Sequence, residues 1–506
     1  MSLNYKSLLL TAAFLIAAHC VFAADPWDGT SQKWTNGSGT QTDPYLIETP
    51  SNLAYLVRVG GYKGIYFLQT ADLDINNQQL VDPAYTNKKN FYGNYDGGNH
   101  QIVNVASYLF GAVRDASIQN VTIAGSSTYS MIQTAQGNTT LTNCHNKSTA
   151  EISGAGLVVI AEKGCLSMHR CSNYAVIKSA YTYEEITTNR TTFRCAGGLV
   201  GKANNIIAEY CANNANITHQ QVVSAGSINN YVHCYLYVGG IVGCIDTIAD
   251  ISYSYNKGNI IGEYNCSGGS YVKQYTYCAG IVGYRVNTTK RSEIFSCFNS
   301  GNITSSYFAG GIACYYYGEN VSKCYSRGKI SSGEGYTNVA GIDHSSTITD
   351  CYFAGSSGKV GSETTTHLYY QVSNSAAIPK EEEFMKSSSF ISLLNGVGDY
   401  FYPDYTNIND GYPILRWQLE GVNFYTIKGL CREEQGSVTG AGAYPEGAEI
   451  QLTATPKDNF VFAGWSDGVT DNPRTIKVEG EATYVAQFER TSYTIYVNQD
   501  CSITVE

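Results

Sequence analysis

Ala196-Gly197-Gly198-Leu199-Val200-Gly201 is followed by Val238-Gly239-Gly240-Ile241-Val242-Gly243, and this pairing decides how the chain is read. The same small-glycine-apolar step occurs earlier as Ala155-Gly156-Leu157-Val158. It returns as Cys278-Ala279-Gly280-Ile281-Val282-Gly283, Ala309-Gly310-Gly311-Ile312-Ala313 and Val339-Ala340-Gly341-Ile342. The aligned glycines at 156, 198, 240, 280, 311 and 341 lie 42, 42, 40, 31 and 30 residues apart. Self-similarity at a nearly fixed period marks a stacked repeat architecture. Neither the runs nor their spacing suits a helix.

A second element follows each glycine step: Cys171-Ser172-Asn173, Cys211-Ala212-Asn213, Ser254-Tyr255-Asn256, Cys297-Phe298-Asn299, Cys324-Tyr325-Ser326 and Cys351-Tyr352-Phe353. Several of these run on into a Gly-x-Ile step, as at Gly258-Asn259-Ile260. Short β-rich runs separated by Asn-Gly corners predict one coil per repeat. A lone coil cannot bury its apolar face, but stacked coils can, with Leu199, Ile241, Ile281, Ile312 and Ile342 as one inward ladder. Cysteines 171, 211, 297, 324 and 351 form a second, in which Ser254 stands in for one thiol. The variation in period predicts loops bulging from a fixed coil, chiefly Val222 to Tyr237 and Glu263 to Tyr277.

The sequence holds 16 cysteines, and loss of Cys20 with a leader leaves an odd number. Their repeat positions favour buried thiols that act as small hydrophobes over a disulfide framework. No Cys-x-x-Cys pair supports zinc. Lys6 and the apolar run Ser7 to Phe22 read as a signal peptide spanning 1–24, cut after about Ala23. His19 sits where a small residue should precede a lipidated Cys20. The expected location is secreted or on the cell surface, with no membrane insertion of the mature chain. A net charge of −10 without a basic patch argues against nucleic acid. The abundance of glycine (51) and tyrosine (42) fits short strands, tight turns and an aromatic exterior.

The glycine step with its Cys-x-Asn partner resembles the GLUG motif repeats of bacterial surface proteins, notably from Bacteroidetes, most clearly over 150–360. That resemblance implies a right-handed parallel β-helix. Gly39 to Ile47, Ala71 to Ile75 and Phe91 to His100 look like the opening segment of such proteins, so the all-β helix is placed at 25–360. A helical capping and closing segment is expected at 361–421. Pro379 to Asn395 is read as its helix, with Glu381 to Glu383 in the first turn and Gly396 past the end. This is the only good helix signal in the mature chain, and it should pack near the C-terminal edge. Residues 422–490, with Phe462-Ala463-Gly464-Trp465, resemble an internalin B-repeat module in which Trp465 anchors the core. Residues 491–506 look like the start of a second, incomplete copy.

Parallel β-helices include pectin-degrading hydrolases and lyases, and GLUG repeats accompany certain immunoglobulin-A metallopeptidases. Yet the chain has no Asp-Asp pair, no His-Glu-x-x-His and no Gly-x-Ser-x-Gly. Asp72, Asp74, Asn76 and Asn77 read as strand and turn residues in preference to calcium ligands. On this reading the chain is not an enzyme and has no catalytic or metal-binding residues and no cofactor. It is expected to be a monomeric, adhesin-like rod with a glycan or protein ligand, contacted through its exposed tyrosines. A polysaccharide-active β-helix enzyme is the alternative.

Overall fold

The computed structural model describes residues 26–82, 89–184, 190–224, 232–267, 272–286, 290, 292–314, 320–333, 336–338, 347–354, 378–491, 495–497 and 503–505. The expected leader at 1–24 and the sixth glycine step at 339–342 lie outside them. Two long parallel sheets form the body of a β-helix. One runs from Tyr45–Ile47 through Tyr66–Gln69 to Thr347–Thr349. The other runs from Leu73–Gln78 to Ile378–Lys380.

Position by position, each coil repeats the last. Tyr95, Ile118, Leu141, Met168, Ala208, Ile251, Ile294 and Val321 are register partners in sequence along the first sheet, and all are buried. Leu199, Ile241, Ile281 and Ile312 form the expected inward ladder with no exposure. The thiols of Cys171, Cys211, Cys297, Cys324 and Cys351 are buried and free. Each donates to the carbonyl two residues before it, at 3.2 to 3.5 Å. The Ser254 hydroxyl does the same at 2.8 Å. Cys144 extends the row by one coil.

The residue two places after the ladder cysteine explains why two motifs recur together. Asn173, Asn213, Asn256 and Asn299 are wholly buried. Nδ2 of Asn213 donates to the Asn256 side chain, and that of Asn256 to Asn299, both at 2.7 Å. Each amide also donates to a carbonyl of its own coil, such as Ala215 at 2.7 Å. The glycine step packs against this ladder. A Cβ at Gly240 would lie 1.9 Å from the carbonyl oxygen of Gly280 and 2.6 Å from Asn256 Cβ. Glycine is required there by space.

The described parts of the two expected loops are strands, and this corrects the reading of Val222 to Tyr237 and Glu263 to Tyr277. Ile177–Glu184, Ile217–Ser224 and Ile260–Ser267 stack in a third parallel sheet, continued by Ile303–Ser305 and Ile330–Ser332. Arg190–Gly197, Val232–Gly239 and Val272–Ala279 stack in a fourth, continued by Phe308–Gly310 and Tyr336–Asn338. An insertion that copies itself in successive coils gains the same parallel ladder as the body, so it need not remain irregular. These two sheets form an arm beside the body. Its inner end is apolar, built on Ile177, Ile217, Ile260, Val238 and Cys278.

The ends differ from expectation in two ways. Pro50–Val59 is a helix that sequence reading missed. The Thr49 side chain caps it, Pro50 begins it, and Leu53, Leu56 and Val57 are buried. The expected single helix from Pro379 to Asn395 is divided. Pro379 belongs to the strand Ile378–Lys380, which pairs with Tyr352–Ala354. Glu382–Met385 and Ser388–Asn395 are separate helices, because the Ser387 side chain accepts from Phe390 N and starts a new one. The segment also lies along the flank of the second sheet as well as near its end. It covers a stack of Tyr255, Phe298 and Tyr325, with ring centroids 5.0 and 5.2 Å apart. From there it reaches back to Arg170, which pairs with Glu420.

Beyond it, Gly442–Pro445, Phe424–Leu430, Ala482–Arg490 and Phe460–Trp465 form a four-stranded sheet in that order. Gly436–Thr439, Glu449–Pro456 and Arg474–Lys477 form a three-stranded one. Trp465 is buried between them and donates its indole N–H to Asp471 O at 3.0 Å.

A candidate recognition face on the arm

Strand alternation sends every second residue of the fourth sheet outward. Phe193, Tyr235 and Tyr275 are register partners in that sheet, and their rings form a ladder. Phe193 and Tyr235 stack at 5.1 Å and 16°; Tyr235 and Tyr275 stack at 5.0 Å and 15°. Tyr307 closes the row edge-on at 5.2 Å. Phe193 ends the ladder and is 60% exposed. A second row beside it holds Cys195, Tyr237, Tyr277 and Phe308, with Tyr284 from the body stacked on Tyr237 at 4.2 Å. Here burial is deeper, and it pushes the Tyr237 hydroxyl well above its ordinary pKa.

The opposite face of the arm is different in kind. The described outward residues of the third sheet are small, aliphatic or polar and none is aromatic: Ala180, Val222 and Ile261 stand among Lys178, Thr218, Gln220 and Glu263, and Gln220 donates to Glu263 at 2.9 Å. The aromatic character is therefore a property of one face. Stacked tyrosines are also good strand formers, but a ladder of outward rings on one side only, half-buried at Tyr235 and Tyr275 and open at Phe193, is the pattern of a contact surface.

Between the sheets the arm's outer part is polar. His219 is fully buried and lies edge-on to Tyr181 at 5.5 Å. Arg194 covers the Tyr181 ring at 4.4 Å. Burial, with Arg194 nearby, pushes the His219 imidazole down to about 3. Gln221 donates to Thr192 at 3.4 Å. Both ring nitrogens of His219, both amide atoms of Gln274 and the Thr276 hydroxyl find no partner among the described residues.

The carboxylates weighed as calcium ligands are taken up by protein donors. Asp72 accepts from Gln101 N at 2.9 Å. Asp74 accepts from Asn76 N at 2.8 Å and Asn104 Nδ2 at 3.0 Å. Among the described residues no group of three or more His, Cys, Asp or Glu is placed to hold a metal. No described helix is long and apolar enough to cross a membrane. The tyrosines singled out from sequence come together only because the supposed loops are strands in register. The signal was available in the shared alternation of Arg190 to Gly197 with Val232 to Gly239.

Residues 430–492 match the divergent InlB B-repeat domain family. Over 300 residues, or 54% of its length, the chain is 26% identical to an immunoglobulin A1 protease from Streptococcus sanguinis. The match covers 14% of that protein, so the chain spans about one seventh of this curated relative. A crystal structure described as a candidate immunoglobulin A1 protease from Bacteroides ovatus is 16% identical with a TM-score of 0.36. It covers 76% of this chain and 95% of its own. A second structure, of an IgA1 protease, is 18% identical with a TM-score of 0.36, covering 56% and 21%. The sequence match corrects the expectation that the chain is not an enzyme. The expectation rested on motifs missing from this chain, whereas the matched 300 residues are a fraction of a far longer protease.

Proposed function

We propose that the chain works outside the cell as the recognition part of a peptidase-related surface protein, holding an extracellular protein against the aromatic face of its arm. The Phe193–Tyr235–Tyr275 ladder carries this reading. It sets rigid aromatic side chains, which lose little entropy on contact, in a row on one outer face, open at Phe193 and half-buried at Tyr235 and Tyr275. The similarity to an immunoglobulin A1 protease makes immunoglobulin A1 the first ligand to test. The resemblance of the coils to GLUG repeats of surface proteins supports the same setting. In this reading 1–24 is the leader, 25–360 the β-helix and 361–421 its closing segment. Residues 422–490 are then a B-repeat-like spacer, and 491–506 begins a further copy.

The test is binding of the full chain to immobilised immunoglobulin A1, with the ligand afterwards run on a gel. The double variant Phe193→Ala, Tyr235→Ala should bind at least about tenfold more weakly while keeping its melting temperature. Fragments of immunoglobulin A1 would extend the reading to cleavage. Equal binding by variant and wild type would discard the arm face as the contact surface.

A further inference from the structure

The corner before the inward row, which holds Val121, Cys144, Cys211 and Ser254 among others, carries a residue in the left-handed backbone region. In two early coils it is asparagine, Asn120 at φ 54° and Asn143 at φ 52°. In the middle coils it is tyrosine, Tyr210 at φ 56° and Tyr253 at φ 50°. Asparagine is at ease there and a bulky aromatic is not, so the tyrosines are kept against a local preference. Their rings stack at 5.0 Å and 16° and stand out from the coil corner. Trp417, from the closing segment, meets Tyr210 edge-on at 6.1 Å and 86°. Its indole N–H donates to Tyr253 O at 2.8 Å, which fixes the ring.

These three rings line a cleft of about 470 Å³ between body and closing segment. That lies within the roughly 300–1,000 Å³ of small-ligand sites. Two ion pairs flank it, Arg416 with Asp399 at 3.1 Å and Arg170 with Glu420. The four side chains are between 41% and 64% exposed, so each keeps capacity for a further hydrogen bond. Their charges cancel, which leaves no unpaired cation for a phosphate and no unpaired carboxylate for an amine among the described residues that line or flank the cleft.

We infer that this cleft binds a neutral saccharide. The C–H face of a pyranose packs on an aromatic ring, and its hydroxyls can both accept from guanidinium and donate to carboxylate. The site is separate from the arm face and does not depend on it.

Calorimetric titration of the full chain with free saccharides tests the inference. The probes are cellobiose, N-acetyllactosamine and mannobiose, with sialyllactose and inorganic phosphate as anions. At least one neutral saccharide should bind, and neither anion should bind more tightly. Tyr210→Asn and Tyr253→Asn remove a ring while suiting the left-handed corner, so each should melt no lower than wild type yet bind at least about tenfold more weakly. Absence of neutral-saccharide binding, tighter binding of an anion, or unchanged affinity in both variants would overturn it. Free saccharides present no protein surface, so this outcome is independent of immunoglobulin A1 binding.

Discussion

The body and the arm are built from the same parallel stacking, yet they treat buried polar groups in opposite ways. In the body, Asn213, Asn256 and Asn299 each donate both to their own coil and to the next copy up the stack. In the arm, His219 lies between Ser179 and Gly262, and Gln274 is preceded by Cys234 and Thr192. Over these coils neither row repeats one residue type, and His219 and Gln274 find no side-chain partner among the described residues. A solenoid satisfies an internal polar group cheaply only when that group meets a copy of itself. The asparagine row of the body follows this rule, although single body atoms such as Ser296 Oγ and Asn205 Oδ1 also find no partner among the described residues; the arm's interior breaks it, and the arm carries the aromatic face.

The sharpest way to break the contrast is to disturb the body where it has no slack. Gly240→Ala would set a Cβ 1.9 Å from the Gly280 carbonyl oxygen and 2.6 Å from Asn256 Cβ. Backbone must move, and the expected loss is about 4 kcal/mol or more, read as a collapse of the denaturation midpoint or failure to fold. Asn256→Ala comes next. It strands the Asn213 amide and the Gly258 carbonyl, with an expected loss of about 2–4 kcal/mol. Asn256→Ser should cost less, since Ser326 already accepts from Asn299 at 3.2 Å one coil further on. Equal losses for Ala and Ser would mean the amide ladder is not what holds this row.

The body was the more legible of the two regions. Repetition in the sequence gave away Leu199, Ile241, Ile281 and the cysteine row, because equivalent positions in stacked coils share one environment. The asparagines were in plain view but read as turn residues, since Asn beside Gly signals a corner as readily as an inward ladder. The arm was mistaken for loops because its copies differ in side chain while agreeing in length and alternation. The Thr49-Pro50 helix start was present in sequence, as was the stop at Gly60, but ten residues between strands drew no attention. The cleft at Tyr210 and Trp417 could not be read, because it joins residues about two hundred positions apart. Nor could missing motifs speak for a chain that matches part of a longer protease.

Acid should separate the arm from the body. His219 has a folded pKa of about 3, below its ordinary 6.5, because a buried ring beside Arg194 resists charging. Above pH 6.5 the ring is neutral in both states and costs nothing. As pH falls from 6.5 toward 3 the unfolded chain binds the proton and the folded one does not, so stability declines. The slope is about 1.4 kcal/mol per pH unit, or about 2 kcal/mol between pH 6.5 and 5. His219→Leu removes that part, so its denaturation midpoint should fall less over this interval. Parallel declines in both proteins would show that the ring is hydrated and titrates normally.

The smallest effect has the opposite sign and bears most directly on the contrast. Gln274 is 9% exposed, and neither atom of its amide finds a partner among the described residues. Its neighbours in the sheet, Cys234 and Thr192, offer one weak donor and a hydroxyl already used by Gln221. Replacing an unsatisfied buried amide with an apolar group of similar size recovers its desolvation cost, so Gln274→Leu should stabilise the protein by about 1 kcal/mol. Asn256→Leu, the same kind of change in the body, should destabilise it by more than that. A loss of stability in Gln274→Leu would mean that the arm's interior is satisfied after all, by ordered water or by a bound group. The polar layer would then belong with the aromatic face as part of a recognition site.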